Sequence, residues 1–307
     1  DTSGNSYAGI SSTTALSFAV VDMQDPTTNK DVVGSIDAQA KISKNYAKNS
    51  VETILGRLNH LRYNKDKANL SRNNVKLNFS SNSDLNNLTE AILIANKSKK
   101  IKTSNKWSSW SEGLISVSRI GESNSSLPFE IDSQAISIGF DKKLNEKDSI
   151  GYAIQFAQSD SEIGSSGSSI DSENLNISFY RSNPLDNNNF IEGLIGFGLI
   201  ENDLIRINGS NTLTGSRNGA QLFGSMSYGK TIDKDDFEIA PTARIDLAYT
   251  ELYAYTETGV DALSYSKQII QSGLSLIGLK INNMTNFENS HLKQFANVEY
   301  GLDFSNS

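Results

Sequence analysis

From residue 107 onward the sequence alternates. In Leu114-Ile115-Ser116-Val117-Ser118-Arg119-Ile120 and in Ala135-Ile136-Ser137-Ile138-Gly139-Phe140, one set of alternate positions is largely apolar and the other small or polar. A period of two is the strand period, because successive side chains point to opposite faces. The pattern continues to the end of the chain and predicts nine strands, near 108–121, 134–144, 148–164, 170–183, 189–207, 215–232, 236–257, 262–281 and 291–305. Ile136, Ile138, Ile154, Phe156, Ile177, Phe179, Ile245, Leu247 and Val298 fall on the apolar face. Ser137, Gln155, Asn176, Arg244, Asp246 and Glu299 fall on the other.

A soluble sandwich also alternates, but its strands average about five or six residues. Several runs here exceed about ten, which suits tilted strands that cross a bilayer. The expected fold is therefore all-β: an antiparallel, up-and-down transmembrane β-barrel, apolar outside and polar inside. On that reading Ser137, Gln155, Asn176, Arg244, Asp246 and Glu299 face the lumen. The connections agree. Asn145-Glu146-Lys147-Asp148, Pro184 to Asn189 and Asp233 to Asp236 are tight and Asn/Asp-rich, whereas Gly121 to Asp132 is longer. Tyrosines such as Tyr152, Tyr228, Tyr249 and Tyr300 lie where interfacial girdles are expected.

Ahead of the strands the periodicity changes. Ala40, Ala47, Val51, Ile54, Leu55, Leu58 and Leu61 recur at helical spacing and predict an amphipathic helix over 36–62. Lys41, Lys44, Lys48, Arg57 and Arg62 supply its cationic positions. Two placements stay open: a surface helix packed on a neighbour, or a linker in the pore, where Lys41, Lys44 and Lys48 would meet lumenal acids such as Asp246 and Glu299. Residues 64–106 read as a polar linker, with a short strand at Val75 to Phe79 and a brief helix over 84–97. The cluster Lys97, Lys99, Lys100, Lys102 and Lys106 is either a solvated linker or a contact for acidic lipid head groups or lipopolysaccharide.

Composition removes several classes of chemistry. The 307 residues include no Cys and only two His, His60 and His291. That excludes thiolate nucleophiles and metal sites, and no motif surrounds either His. Pairs such as Asp160/Glu162 and Asp235/Asp236 read as solvated charges, so neither enzyme activity nor a cofactor is expected. A net charge of -7 argues against nucleic acid. No run approaches about 18 consecutive apolar residues, so no transmembrane helix is predicted, which leaves a barrel open.

Ordered motifs over 107–307 resemble the autotransporter β-domain, the outer-membrane translocator of type V secretion. They are Trp107-x-x-Trp110-x-Glu112-Gly113, Gly139-Phe140-Asp141, Ile150-Gly151-Tyr152-Ala153, Leu213 to Gly219, Ala240 to Tyr249, Tyr255-x-Glu257-x-Gly259, Ala262 to Tyr265, Ser272-Gly273-Leu274 and Val298-Glu299-Tyr300-Gly301. The resemblance implies a barrel of about twelve strands in the outer membrane of a Gram-negative bacterium. It also implies an α-helical linker through the pore and a surface passenger on the N-terminal side. The implied partners are outer-membrane lipid and lipopolysaccharide, the barrel-assembly machinery and the chain's own passenger, with the barrel a monomer. An adhesin for which the barrel is only an anchor is the alternative. The final Asp303 to Ser307 lacks the family's terminal aromatic residue, so the expectation is about nine of about twelve strands, the C-terminal ones missing. Residues 1–28, with Asp1-x-x-Gly4-Asn5 and Ser17-Phe18-x-Val20-x-Asp22, resemble the end of a bacterial Ig-like or cadherin-like repeat. Autocleavage in the pore is not expected, because the linker helix carries Asn45 and Asn49 but no adjacent Asn pair.

Overall fold

A computed structural model describes residues 25–63, 72–73, 107–145, 148–234, 237–287 and 290–305. The expected repeat end before Asp25, the strand near 75–79, the helix over 84–97 and the lysine cluster lie outside the described residues. Among the described residues one α-helix, α1 (Lys30–Tyr63), precedes nine long strands: β1 (Trp107–Ile120), β2 (Phe129–Lys143), β3 (Ser149–Ile163), β4 (Ser168–Pro184), β5 (Asn189–Asn208), β6 (Asn211–Lys230), β7 (Phe237–Leu252), β8 (Gln268–Phe287) and β9 (Ser290–Asp303). Each strand pairs antiparallel with its neighbours in sequence, a plain meander. The sheet curls into part of a barrel. Among the described residues β1 and β9 do not pair with each other, and a two-residue strand, Arg72–Asn73, runs parallel along the free edge of β1.

The register keeps alternate residues in rows. Ile138, Ile154, Ile177, Phe197, Leu222 and Tyr249 face across consecutive strands on the convex side. Ile154, Phe179, Ile245, Leu247 and Val298 are exposed there, whereas Ile136 keeps the outward register but is buried. On the concave side aromatic rings lie over glycines directly across the ladder: Trp110 on Gly139, Tyr180 on Gly151, Phe223 on Gly196 and Phe190 on Gly229. A Cβ at Gly139 or Gly151 would stand 2.3 Å from the ring, so only glycine fits.

Three strands begin elsewhere than the alternation suggests, β6 among them, at Asn211 rather than 215, because its ladder with β5 runs on to Asn208. β2 starts at Phe129 rather than 134, because Phe129 and Ile131 continue its inward face into the core around α1. β8 starts at Gln268 rather than 262, because Ser264–Tyr265 pair with Tyr255–Thr256 in a small separate hairpin. α1 also starts earlier than the apolar spacing predicts. Asn29 caps it, its side-chain oxygen accepting from Asp31 N at 3.0 Å. At 34 residues it is about 50 Å long, enough to cross a bilayer-sized sheet. Gly34 permits its entry, since a Cβ there would lie 3.0 Å from Ile163 Cγ2.

Candidate functional site

The concave face of the sheet is polar, and α1 fills it. Its first turn sits at one end of the strands, where Leu127 N donates to Lys30 O at 3.2 Å and Asp31 accepts from Ser168 Oγ at 3.0 Å. Its last turns lie at the opposite end, the end at which β1 begins. There Arg57 makes a two-pronged pair with Asp141, Nε to Oδ2 at 2.7 Å and Nη2 to Oδ1 at 2.9 Å. Both side chains are almost fully buried, at 1% and 2% exposure. Tyr180 donates to Asp141 at 3.1 Å, and Trp110 Nε1 donates to the Tyr180 hydroxyl at 2.7 Å. Helix and sheet are thus joined by one continuous polar network.

Midway, Ser137, Gln155 and Asn176 converge on Ser50 of the helix. Gln155 Nε2 donates to Ser137 at 2.8 Å, Ser50 Oγ donates to Gln155 Oε1 at 2.6 Å, and Asn176 donates to Ser50 at 3.0 Å. Tyr46 donates to Ser172 O at 2.8 Å, and Gln221 donates to Ser43 O at 2.8 Å. Gln39, Ser43, Tyr46, Ser50 and Arg57 form a buried polar stripe on a helix whose apolar side chains are also buried. Sequence reasoning missed all of these but Arg57, because it equated polar positions with solvent. A polar lumen reverses that equation, and the spacing of these residues by three, four and seven was the available signal.

The cationic positions divide. Arg57 pairs as described, and Arg62 lies 3.8 Å from Glu192 and stacks on the Phe190 ring. Lys41 and Lys48 are exposed and Lys44 is half-buried. Lys48 reaches Glu52 of its own helix at 3.7 Å, while Lys41 and Lys44 line a cleft between Ile120 of β1 and Gln268 to Ile270 of β8. The expected meeting of these lysines with Asp246 and Glu299 does not occur. Arg244 takes both acids instead, at 3.1 Å each, from the same wall of the lumen. The lysines sit on the side of α1 that looks towards the open side of the sheet.

The mouth at which α1 enters holds a second buried cluster. The connection from β7 to β8, residues 253–267, folds as a hairpin whose Tyr255 and Tyr265 rings stack at 4.6 Å. Glu257, 7% exposed, accepts two bonds from Arg206, at 2.8 and 2.7 Å, and one from Tyr265 at 3.1 Å. Burial pushes the Glu257 carboxyl up, but Arg206, the Leu263 amide and Tyr265 together hold it below the usual carboxylate range. Beside it Arg217 donates to Tyr253 O, Ser266 O and Gln39 Oε1 of the helix, at 2.8, 2.9 and 3.0 Å.

Residues 109–307 match the autotransporter beta-domain family. The chain belongs to that family. Two solved autotransporter barrels share its fold. The translocator domain of NalP from Neisseria meningitidis is 13% identical, with a TM-score of 0.57, over 72% of this chain and 78% of that one. The beta domain of the Bordetella autotransporter BrkA is also 13% identical, with a TM-score of 0.53, over 66% of this chain and 81% of that one. A comparison with curated proteins finds no match. The autotransporter fold accounts for the convex apolar rows as a lipid face and for the concave polar face as the lining of a pore. Among the described residues no cluster of His, Asp and Glu is arranged to hold a metal ion.

Proposed function

We propose that this chain is the outer-membrane translocator and anchor of an autotransporter, exporting a passenger that precedes it and displaying it at the cell surface of a Gram-negative bacterium. The observation that carries this reading is α1 lying along the polar face from one mouth to the other, bound by Arg57–Asp141, Ser50–Gln155 and Arg217–Gln39. A segment left in the pore, with the chain's N-terminal side at one mouth and the first strand starting at the other, is the arrangement expected once a polypeptide has passed through. Residues 1–28 supply the proposed end of an Ig-like passenger repeat. Lipopolysaccharide around the convex face and the barrel-assembly machinery are the proposed outer-membrane partners, and the barrel acts as a monomer. The residue inventory supports a chain that does no chemistry of its own, since it lacks Cys and has two His.

The test is made in the full-length precursor. A reporter placed ahead of residue 1 should be cut by protease added to intact cells. The complete barrel in a planar bilayer should conduct weakly, and should gain large conductance steps when residues 30–63 are removed. A reporter that stays protected in cells with assembled barrels overturns the translocator reading. Unchanged conductance overturns the helix as the pore's occupant.

A further inference from the structure

The hairpin over 253–267 is more ordered than a mouth loop requires. It has its own two-rung ladder, a stacked tyrosine pair and a buried glutamate, and it makes a further bridge to β6. In that bridge Thr214 N donates to Thr258 O at 3.1 Å and Thr258 N donates to Thr214 O at 2.7 Å. That bridge prolongs the wall along β6, whereas the side-chain bonds aim inward. Arg206 and Arg217 both stand on the lumen face, and both are turned to the hairpin.

Arg217 joins three parts of the molecule. It is rooted in β6, its Nε and Nη2 grip two hairpin carbonyls, and its Nη1 reaches Gln39 of α1. Its guanidinium also lies 5.4 Å from the Tyr255 ring. A buried cation with this many partners loses heavily when any of them leaves, because the remaining groups cannot turn to water. Seating of the helix and closure of the hairpin therefore favour one another, which is a coupling free energy between two segments remote in sequence.

We propose that the 253–267 hairpin is a latch over the mouth where α1 enters, that it must open for a passenger to pass, and that Arg217 is the positioning residue that closes it on a pore already holding α1. The proposal rests on the export route proposed above.

These 307 residues contain no cysteine, so the introduced pair meets no other thiol within them. Facing residues of an antiparallel bridge lie within disulfide range, so Thr214→Cys with Thr258→Cys should cross-link the closed latch. In the full-length protein, with heat-modifiable migration showing that barrels have assembled, the oxidised double variant should lose surface exposure of the passenger. Reductant should restore it, and each single variant should export normally. Export by the oxidised pair overturns the latch, as does failure of the pair to cross-link in assembled barrels. Loss of export with reductant present in assembled barrels, or in either single variant, removes the export route on which the latch depends.

Hydrogen exchange tests the coupling. Arg217→Gln should raise amide exchange at least about tenfold both in 253–267 and in the first half of α1, and removing residues 30–63 should do the same to the hairpin. A variant that loosens the hairpin alone, or a hairpin indifferent to the helix, overturns the role given to Arg217.

Discussion

At Arg57 the helix commits a full charge to the lumen wall, and Asp141 answers it with both oxygens. A buried ion pair adds little beyond a well-packed apolar pair, but breaking it strands the remaining charge, at a cost of about 3–5 kcal/mol. Asp141→Ala should therefore lower the urea stability of the complete barrel by about that amount. Arg57→Met with Asp141→Leu should recover most of it. Glu257 obeys a different rule, because it titrates. Its folded pKa is depressed, so its contribution is whole above the usual carboxylate range and is lost as the pH falls through and below that range. Arg206 and Tyr265 bond it directly, Tyr255 is stacked on Tyr265 with Arg217 against its ring, and Asp31 acts on Arg206 from the helix. Burial raises Tyr255 to about 12 and pushes Tyr265 up as well, so both stay neutral in that window. The Leu263 amide donates to Glu257 at 3.0 Å, so its protection against exchange, relative to the free-peptide rate at each pH, should fall on acidification through that window, and Glu257→Gln should remove the pH dependence of the protection.

Strands were the most legible elements because a period of two is a strong signal when repeated nine times. Alternation assigned the two faces of β7 without ambiguity, and the ladder gives that assignment an energy. Ile245 is exposed on the convex side, while Thr242 belongs to the concave row. Ile245→Arg should cost assembly about 2–4 kcal/mol and Thr242→Arg little, read as the fraction folded into lipid vesicles across a urea series. The helix was legible in type, while its place along the polar face was one of two placements left open by its own periodicity and was implied only by the family resemblance. Its caps lie outside the apolar run, and its polar stripe matches the lumen rather than water. The acidic row of the convex face could not be foreseen at all, since it depends on register. Asp132, Asp160, Asp171 and Asp203 stand directly opposite one another across β2 to β5. Like charges in that position oppose pairing, so Asp160→Asn should raise stability by about 0.2–1 kcal/mol at low salt, and less in high salt.

On the scale of the whole molecule, the two tryptophans of this chain stand three positions apart on β1 and face opposite worlds. Trp107 is 42% exposed on the convex side, against Tyr152, while Trp110 is 2% exposed on the concave side, bonded to Tyr180 and near Arg57. These 307 residues thus carry two optical reporters, one for each surface of the wall. A brominated lipid should quench Trp107 and spare Trp110. In Trp107→Phe, withdrawal of α1 should admit water beside the indole that remains and move its emission to the red. Insertion into the bilayer and clearance of the pore could then be timed separately by intrinsic fluorescence, without attaching a dye.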